Sequence, residues 1–160
     1  MKWEKWLENW DMTSLKIKKS FLEMEFQPKE ADKDAAWELY IELLTRITTQ
    51  HLDDTHGNEE TALTSVFKIF ELTREIIKKY KRDCIEFSKI SIVILNQKIR
   101  PFTAKWHNIL TSDGFYDANS REEFRSELKH LQVVLLIYTQ MLGDMAGMEE
   151  KDALTELEKV

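Results

Sequence analysis

The spacing of apolar positions changes several times along the chain, and each change marks a new element. Trp3, Trp6, Leu7 and Trp10 recur at a three-then-four interval, which puts three indoles on one face of a short amino-terminal helix. That face must cover something, either the chain's own core or a partner, and the intervening Glu4, Glu8 and Asp11 disfavour an anionic membrane. Next, Leu15 and Ile17 alternate with lysines, and Leu22, Met24 and Phe26 alternate with glutamates. Alternation predicts extended chain, here a small hairpin over 15–26 that turns at Lys18, Lys19 and Ser20, although no Asn-Gly or Asp-Gly pair fixes the turn.

After Pro28 the period becomes helical. Asp32 or Asp34 is placed to cap a helix whose stripe is Trp37, Tyr40, Ile41, Leu44 and Ile47, running to Gln50. A polar loop from His51 to Asn58 leads to a second helix, opened by Asn58 with Glu59 and Glu60 and closed by Lys78, Lys79, Lys81 and Arg82. Leu63, Val66, Phe67, Phe70 and Ile77 form its stripe. Asp83 then precedes the segment Cys84 to Leu95, apolar almost all round and so expected at the centre of the fold. Pro101 is expected to end or kink this helix, with helical spacing resuming at Phe102, Trp106 and Ile109.

Ser120 and Glu123 have the spacing of a capping box. The helix they would open has the most regular stripe of all: Phe124, Leu128, Leu131, Leu135, Tyr138, Leu142 and Met145. Its alternating intervals of four and three suit an antiparallel bundle or a coiled coil, so the seam faces either this chain's helices or a second copy in a homodimer. The expected architecture is therefore all-α: one domain over residues 1–147, a bundle of four to five helices carrying the Trp-rich helix and the hairpin. Residues 148–160 are read as an acidic tail, mobile or dependent on a partner.

Composition narrows the class. Only four Gly and two Pro occur in 160 residues, while 42% are hydrophobic and 32% charged, which suits a folded helical protein and excludes collagen-like or disordered chains. A net charge of −6 opposes non-specific coating of duplex DNA. Cys84 is the only cysteine, which fits a reducing compartment and supplies no thiolate metal site. The apolar run Ile90 to Leu95 is too short to span a bilayer, and the amino terminus is too acidic and Trp-rich for a signal peptide, so a cytoplasmic location with no membrane partner is expected.

Three constellations could carry chemistry. His51, Asp53 and His56, with Asp54, Glu59 and Glu60 nearby, offer imidazole and carboxylate ligands, but their spacing matches no standard zinc pattern and neither metal nor other cofactor is expected. Around Pro101, the basic residues Lys98, Arg100, Lys105 and His107 interleave with Phe102 and Trp106. Arg100, Lys105, Trp106 and His107 are accordingly a candidate binding surface for phosphate or single-stranded nucleic acid. Arg125 and His130 have the spacing, an Arg followed by four residues and a His, that resembles the ribonuclease motif of HEPN domains. The resemblance implies metal-independent RNA cleavage, usually across a dimer, with His130 handling the proton of the attacking 2′-hydroxyl and Arg125 stabilising phosphate charge. Ser126 stands where that family usually has Asn, Asp or His. Five residues also turn a helix by about 140° net, which sets the two side chains on opposite flanks of the leucine seam unless a partner unites them.

The segments Trp37 to Gln50 (WELYIELLTRITTQ) and Leu95 to His107 (LNQKIRPFTAKWH) resemble those of a group of uncharacterised bacterial proteins. The resemblance implies a bacterial protein encoded beside larger effectors, such as those of defence or stress systems, and assigns no catalytic residue. The expected function is a non-enzymatic interaction module or accessory subunit that docks a protein partner through Trp3, Trp6 and Trp10, the Arg125 helix or the acidic tail. The alternatives are a HEPN-like ribonuclease acting on RNA through Arg125 and His130, and a sensor of a phosphate or nucleotide ligand.

Overall fold

In the computed structural model, which describes residues 1–112, 117–148 and Leu154, the chain runs through α1 (Trp3–Asn9), α2 (Lys19–Leu22), α3 (Glu30–Leu44), α4 (Glu59–Tyr80), α5 (Ile85–Ile94), α6 (Arg100–Ser112) and α7 (Ala118–Met145). The five longer helices make an all-α bundle, and the short α1 carries the amino-terminal tryptophans. The tail over 149–160 lies outside the described residues except for Leu154.

Helix α3 packs against α4, α5 and α7. Ala35 and Ala36 are fully buried in it, and their small side chains let neighbouring helices approach closely, while Leu39, Tyr40 and Leu43 fill the space around them. The segment expected at the centre, α5, buries Phe87, Ile90 and Ile94 but is not covered all round, since Ile85 and Ile92 are each 47% exposed. On α7 all seven seam residues from Phe124 to Met145 are buried, and they face this chain's own helices, chiefly α3, so the seam is not a homodimer surface.

Helix boundaries depart from expectation where side chains take up orphan backbone groups. Asp32 is buried inside the first turn of α3, not before it: one oxygen accepts from Lys29 N at 2.8 Å, the other from Phe87 N at 2.9 Å, tying α3 to α5. Helix α3 stops at Leu44 because Thr48, Thr49 and Gln50 turn back and donate to the carbonyls of Leu43 and Leu44. Asn58 caps α4 by accepting from Thr61 N at 2.8 Å. Helix α4 breaks at Lys81, whose φ is +56°, and a 3-10 turn over Lys81–Cys84 leads into α5. Asp117, and not Ser120, caps α7.

Pro101 neither ends nor interrupts helical structure. A π turn over Leu95–Ile99 joins α5 to α6 in one uninterrupted run, and the widened backbone takes up the proline, which has no N–H and would crowd the Gln97 carbonyl of a regular helix.

The hairpin over 15–26 does not form. Its middle folds into the helical turn α2, and each extended arm pairs elsewhere. Lys2 and Glu25 form an antiparallel bridge, with Trp3 N donating to Met24 O at 3.0 Å and Phe26 N to Met1 O at 2.8 Å. Lys16 finds its partner in a side chain: the Gln97 amide accepts from Lys16 N and donates to Lys16 O, both at 2.8 Å. Extended backbone is confined to the points of pairing beside Lys16 and Glu25, while Lys19–Leu22, where Leu22 belonged to the alternating run, is helical. A turn without Asn-Gly or Asp-Gly chemistry left the two arms free to choose other partners.

Candidate functional site

The amino-terminal tryptophans are core, which corrects their assignment as a partner surface. Trp3 and Trp6 are buried, and Trp10 is half-buried. Trp6 stacks on Phe26 with ring centres 4.2 Å apart, and Trp3 meets Trp6 edge-on. Each indole N–H has a carboxylate: Trp3 donates to Glu86 at 3.0 Å, and Trp6 and Trp10 both donate to Asp144. An aromatic face whose polar atoms are paired within the chain has little left to offer a partner.

Arg125 holds the 51–58 loop. Its Nε donates to Glu59 at 2.8 Å, and its two terminal nitrogens donate to Asp53 O at 3.2 Å and Gly57 O at 3.0 Å. Gly57 is required there, because a Cβ would sit 2.3 Å from Asp53 O. His130 is exposed on another surface, in a groove with Lys98, Pro101, Phe102 and Lys105. The candidate ribonuclease pair is therefore not assembled within one chain, as the helical rotation anticipated.

The candidate metal loop is spent on its own backbone. Asp53 accepts from Thr55 N at 2.9 Å and His56 N at 2.5 Å, and these bonds hold its carboxyl below the ordinary range. His56 Nδ1 approaches the same oxygen at 3.4 Å, and among the described residues no three potential ligands converge. Cys84 is buried, and desolvation pushes its thiol up, the inert condition of a structural cysteine.

The basic run around Pro101 is divided. Trp106 is fully buried and donates to Glu127 at 2.8 Å. Lys105 lies between Glu123, at 2.7 Å, and Glu127, which raise its pKa and offset its positive charge. Arg100 and His107 face α4 instead, with Arg100 over the Phe70 ring and His107 edge-on to Phe67. Four residues close in sequence thus serve different faces, because α6 packs against α4 on one side and α7 on the other.

An apolar surface that the sequence concealed lies between α3 and α4. Trp37 is 43% exposed and Ile41 36%, although both were expected in the buried stripe of their helix. They form one wall of an open groove of about 440 Å³ whose other wall is Leu72 and Ile76 of α4. Trp37 stacks on Tyr40, with ring centres 5.6 Å apart, which braces the exposed indole. Glu38, Glu42, Glu75 and Lys79 form the rim. Burial opposes ionisation of Glu38, but hydrogen bonds from Lys79 and Tyr80 outweigh it and bring its pKa below the ordinary value. The signal for this groove was present as a second stripe, Trp37 and Ile41, beside the Ala35, Leu39 and Leu43 face. One helix with two apolar faces has one more than its own core needs.

No family model, no curated protein and no solved structure matches this chain. Among the described residues, no helix is long and apolar enough to cross a membrane.

Proposed function

We propose that this protein is a non-enzymatic helical interaction module, an accessory subunit that receives an amphipathic helix of a protein partner in the groove between α3 and α4. The observation that carries this reading is the exposed pair Trp37 and Ile41 over Leu72 and Ile76. A tryptophan braced by a neighbouring ring offers large apolar area at little entropic cost, which is how helix-in-groove anchors work. On the rim Glu38 is paired with Lys79 and Glu42 with Arg46, so Glu75 is the surplus charge and favours a helix with a lysine or arginine beside its apolar stripe. The same charge argues against the chain's own acidic tail as occupant. The ribonuclease alternative has less support, because Arg125 is committed to the 51–58 loop.

The test is affinity capture of the tagged full-length protein from its cell of origin, with mass spectrometry and nucleic-acid extraction on one eluate. The outcome expected is a stoichiometric protein that the wild type retains and a Trp37→Ala/Ile41→Asp variant of equal melting temperature loses. Titration with a synthetic leucine-lysine amphipathic helix checks the chemistry directly, and binding that the variant shares with the wild type would remove the groove from consideration. RNA recovered trimmed with the wild type and intact with His130→Ala would favour the ribonuclease.

A further inference from the structure

A second groove, between α4 and α6, carries the opposite charge. The chain is −6 overall, yet Lys68, Arg74 and Arg100 line this groove against a single carboxylate, Glu71. Glu71 accepts from Lys68 at 2.7 Å and is also within reach of the charge of Arg74, so three cations against one carboxylate leave the groove with two positive charges in excess, with one arginine on each wall. Arg100 is held in place: its Nε donates to Asn96 Oδ1 at 3.1 Å, and its guanidinium lies 4.9 Å from the centre of the Phe70 ring. Among the described residues, no acceptor takes its terminal nitrogens. Beside it, Phe67 leaves 38% of its surface open and is braced edge-on by His107 at 5.5 Å.

We propose that this groove binds a nucleotide unit, its phosphate on Arg74 and Arg100 and its base against Phe67. Guanidinium groups fit phosphate oxygens two at a time, and an open aromatic ring accepts any base by stacking. The groove's volume of about 400 Å³ falls within the range of small-ligand sites. An acidic peptide would satisfy the arginines and leave Phe67 uncovered, so the ring decides between the two. The unit can come from a free nucleotide or from a single strand of RNA, and both present the same phosphate and base. This site shares no lining residue with the groove beside Trp37, so either can fail alone.

The experiment is fluorescence anisotropy of the full chain with a labelled single-stranded oligoadenylate RNA of about eight nucleotides, competed with ATP, inorganic phosphate and polyglutamate. Saturable binding is expected, weakened at least about tenfold by Arg74→Glu/Arg100→Glu and about fivefold or more by Phe67→Ala. One phosphate held by both arginines predicts a loss of about 2.6-fold between 50 and 200 mM salt. Displacement by ATP identifies a free nucleotide as sufficient, whereas RNA that resists ATP but is lost in the variants identifies the strand. Should the double reversal lower the melting temperature, Arg74→Gln, altered at an exposed side chain, replaces it. Absence of saturable binding to both RNA and ATP overturns the proposal, as does phosphate or polyglutamate competing as well as ATP, or variants that bind like the wild type.

Discussion

Asp144, near the end of the chain, accepts the indole N–H of Trp6 at 2.6 Å, and the same oxygen accepts that of Trp10 at 3.0 Å. One carboxylate on the last turn of α7 therefore fastens α1 to α7. Asp144→Ala leaves both indoles without their acceptor, one of them on a buried ring, and should cost about 1–3 kcal/mol. Equilibrium urea unfolding measures this, and an unchanged midpoint would show that water serves both indoles equally well.

Arg125 makes three donations where the α3–α4 loop meets α4, two to the loop carbonyls of Asp53 and Gly57 and one to Glu59, the first residue of α4. A lysine keeps the charge but cannot reproduce the planar fork, so Arg125→Lys should lose most of what Arg125→Ala loses, about 2 kcal/mol. Gly57→Ala should lower the melting temperature by a similar route, since its Cβ collides with the Asp53 carbonyl. A lysine variant as stable as the wild type would reduce the contact to simple charge attraction.

Ile90 and Leu131 are buried on α5 and α7, and an aspartate at either site would place an unpaired carboxylate among aliphatic side chains. Ile90→Asp and Leu131→Asp should each abolish cooperative unfolding, at a cost of about 4 kcal/mol or more. Val133, two residues from Leu131 and 61% exposed, is the control: Val133→Asp should stay folded by circular dichroism. Loss of fold in the control would mean that this face of α7 is covered in solution.

Asp53 titrates below its ordinary value because His56 N and Thr55 N bind its charged form. A carboxylate with a depressed folded pKa contributes stability above its unfolded pKa and loses it as pH falls through the folded pKa. Melting temperature should therefore fall more steeply for the wild type than for Asp53→Asn between about pH 4 and pH 2, with the two curves parallel near neutrality. Curves that stay parallel throughout would show that these turn bonds do not discriminate between the charged and neutral forms.

Helix content was legible in the sequence because a stripe repeating every three or four residues has one physical outcome, burial of that face. The α7 seam and the Asn58 cap follow from local spacing and local hydrogen bonding alone. Partners were not legible, since a pattern names the face that is covered and not what covers it. The alternating arms of 15–26 were extended where they pair, yet the partners are Met1 to Trp3 and the Gln97 amide, brought there by tertiary packing. The same limit governed the candidate sites. Arg100 and Lys105 are five residues apart on one helical run, and only the placement of α4 and α7 on either side of α6 sent them to different grooves. Trp37 and Ile41 look like core by spacing, but Ala35, Leu39 and Leu43 hold the inward face of α3, and a helix can turn only one face to its core. The sequence determined which faces are apolar, and the packing of the helices decided which of them remained exposed.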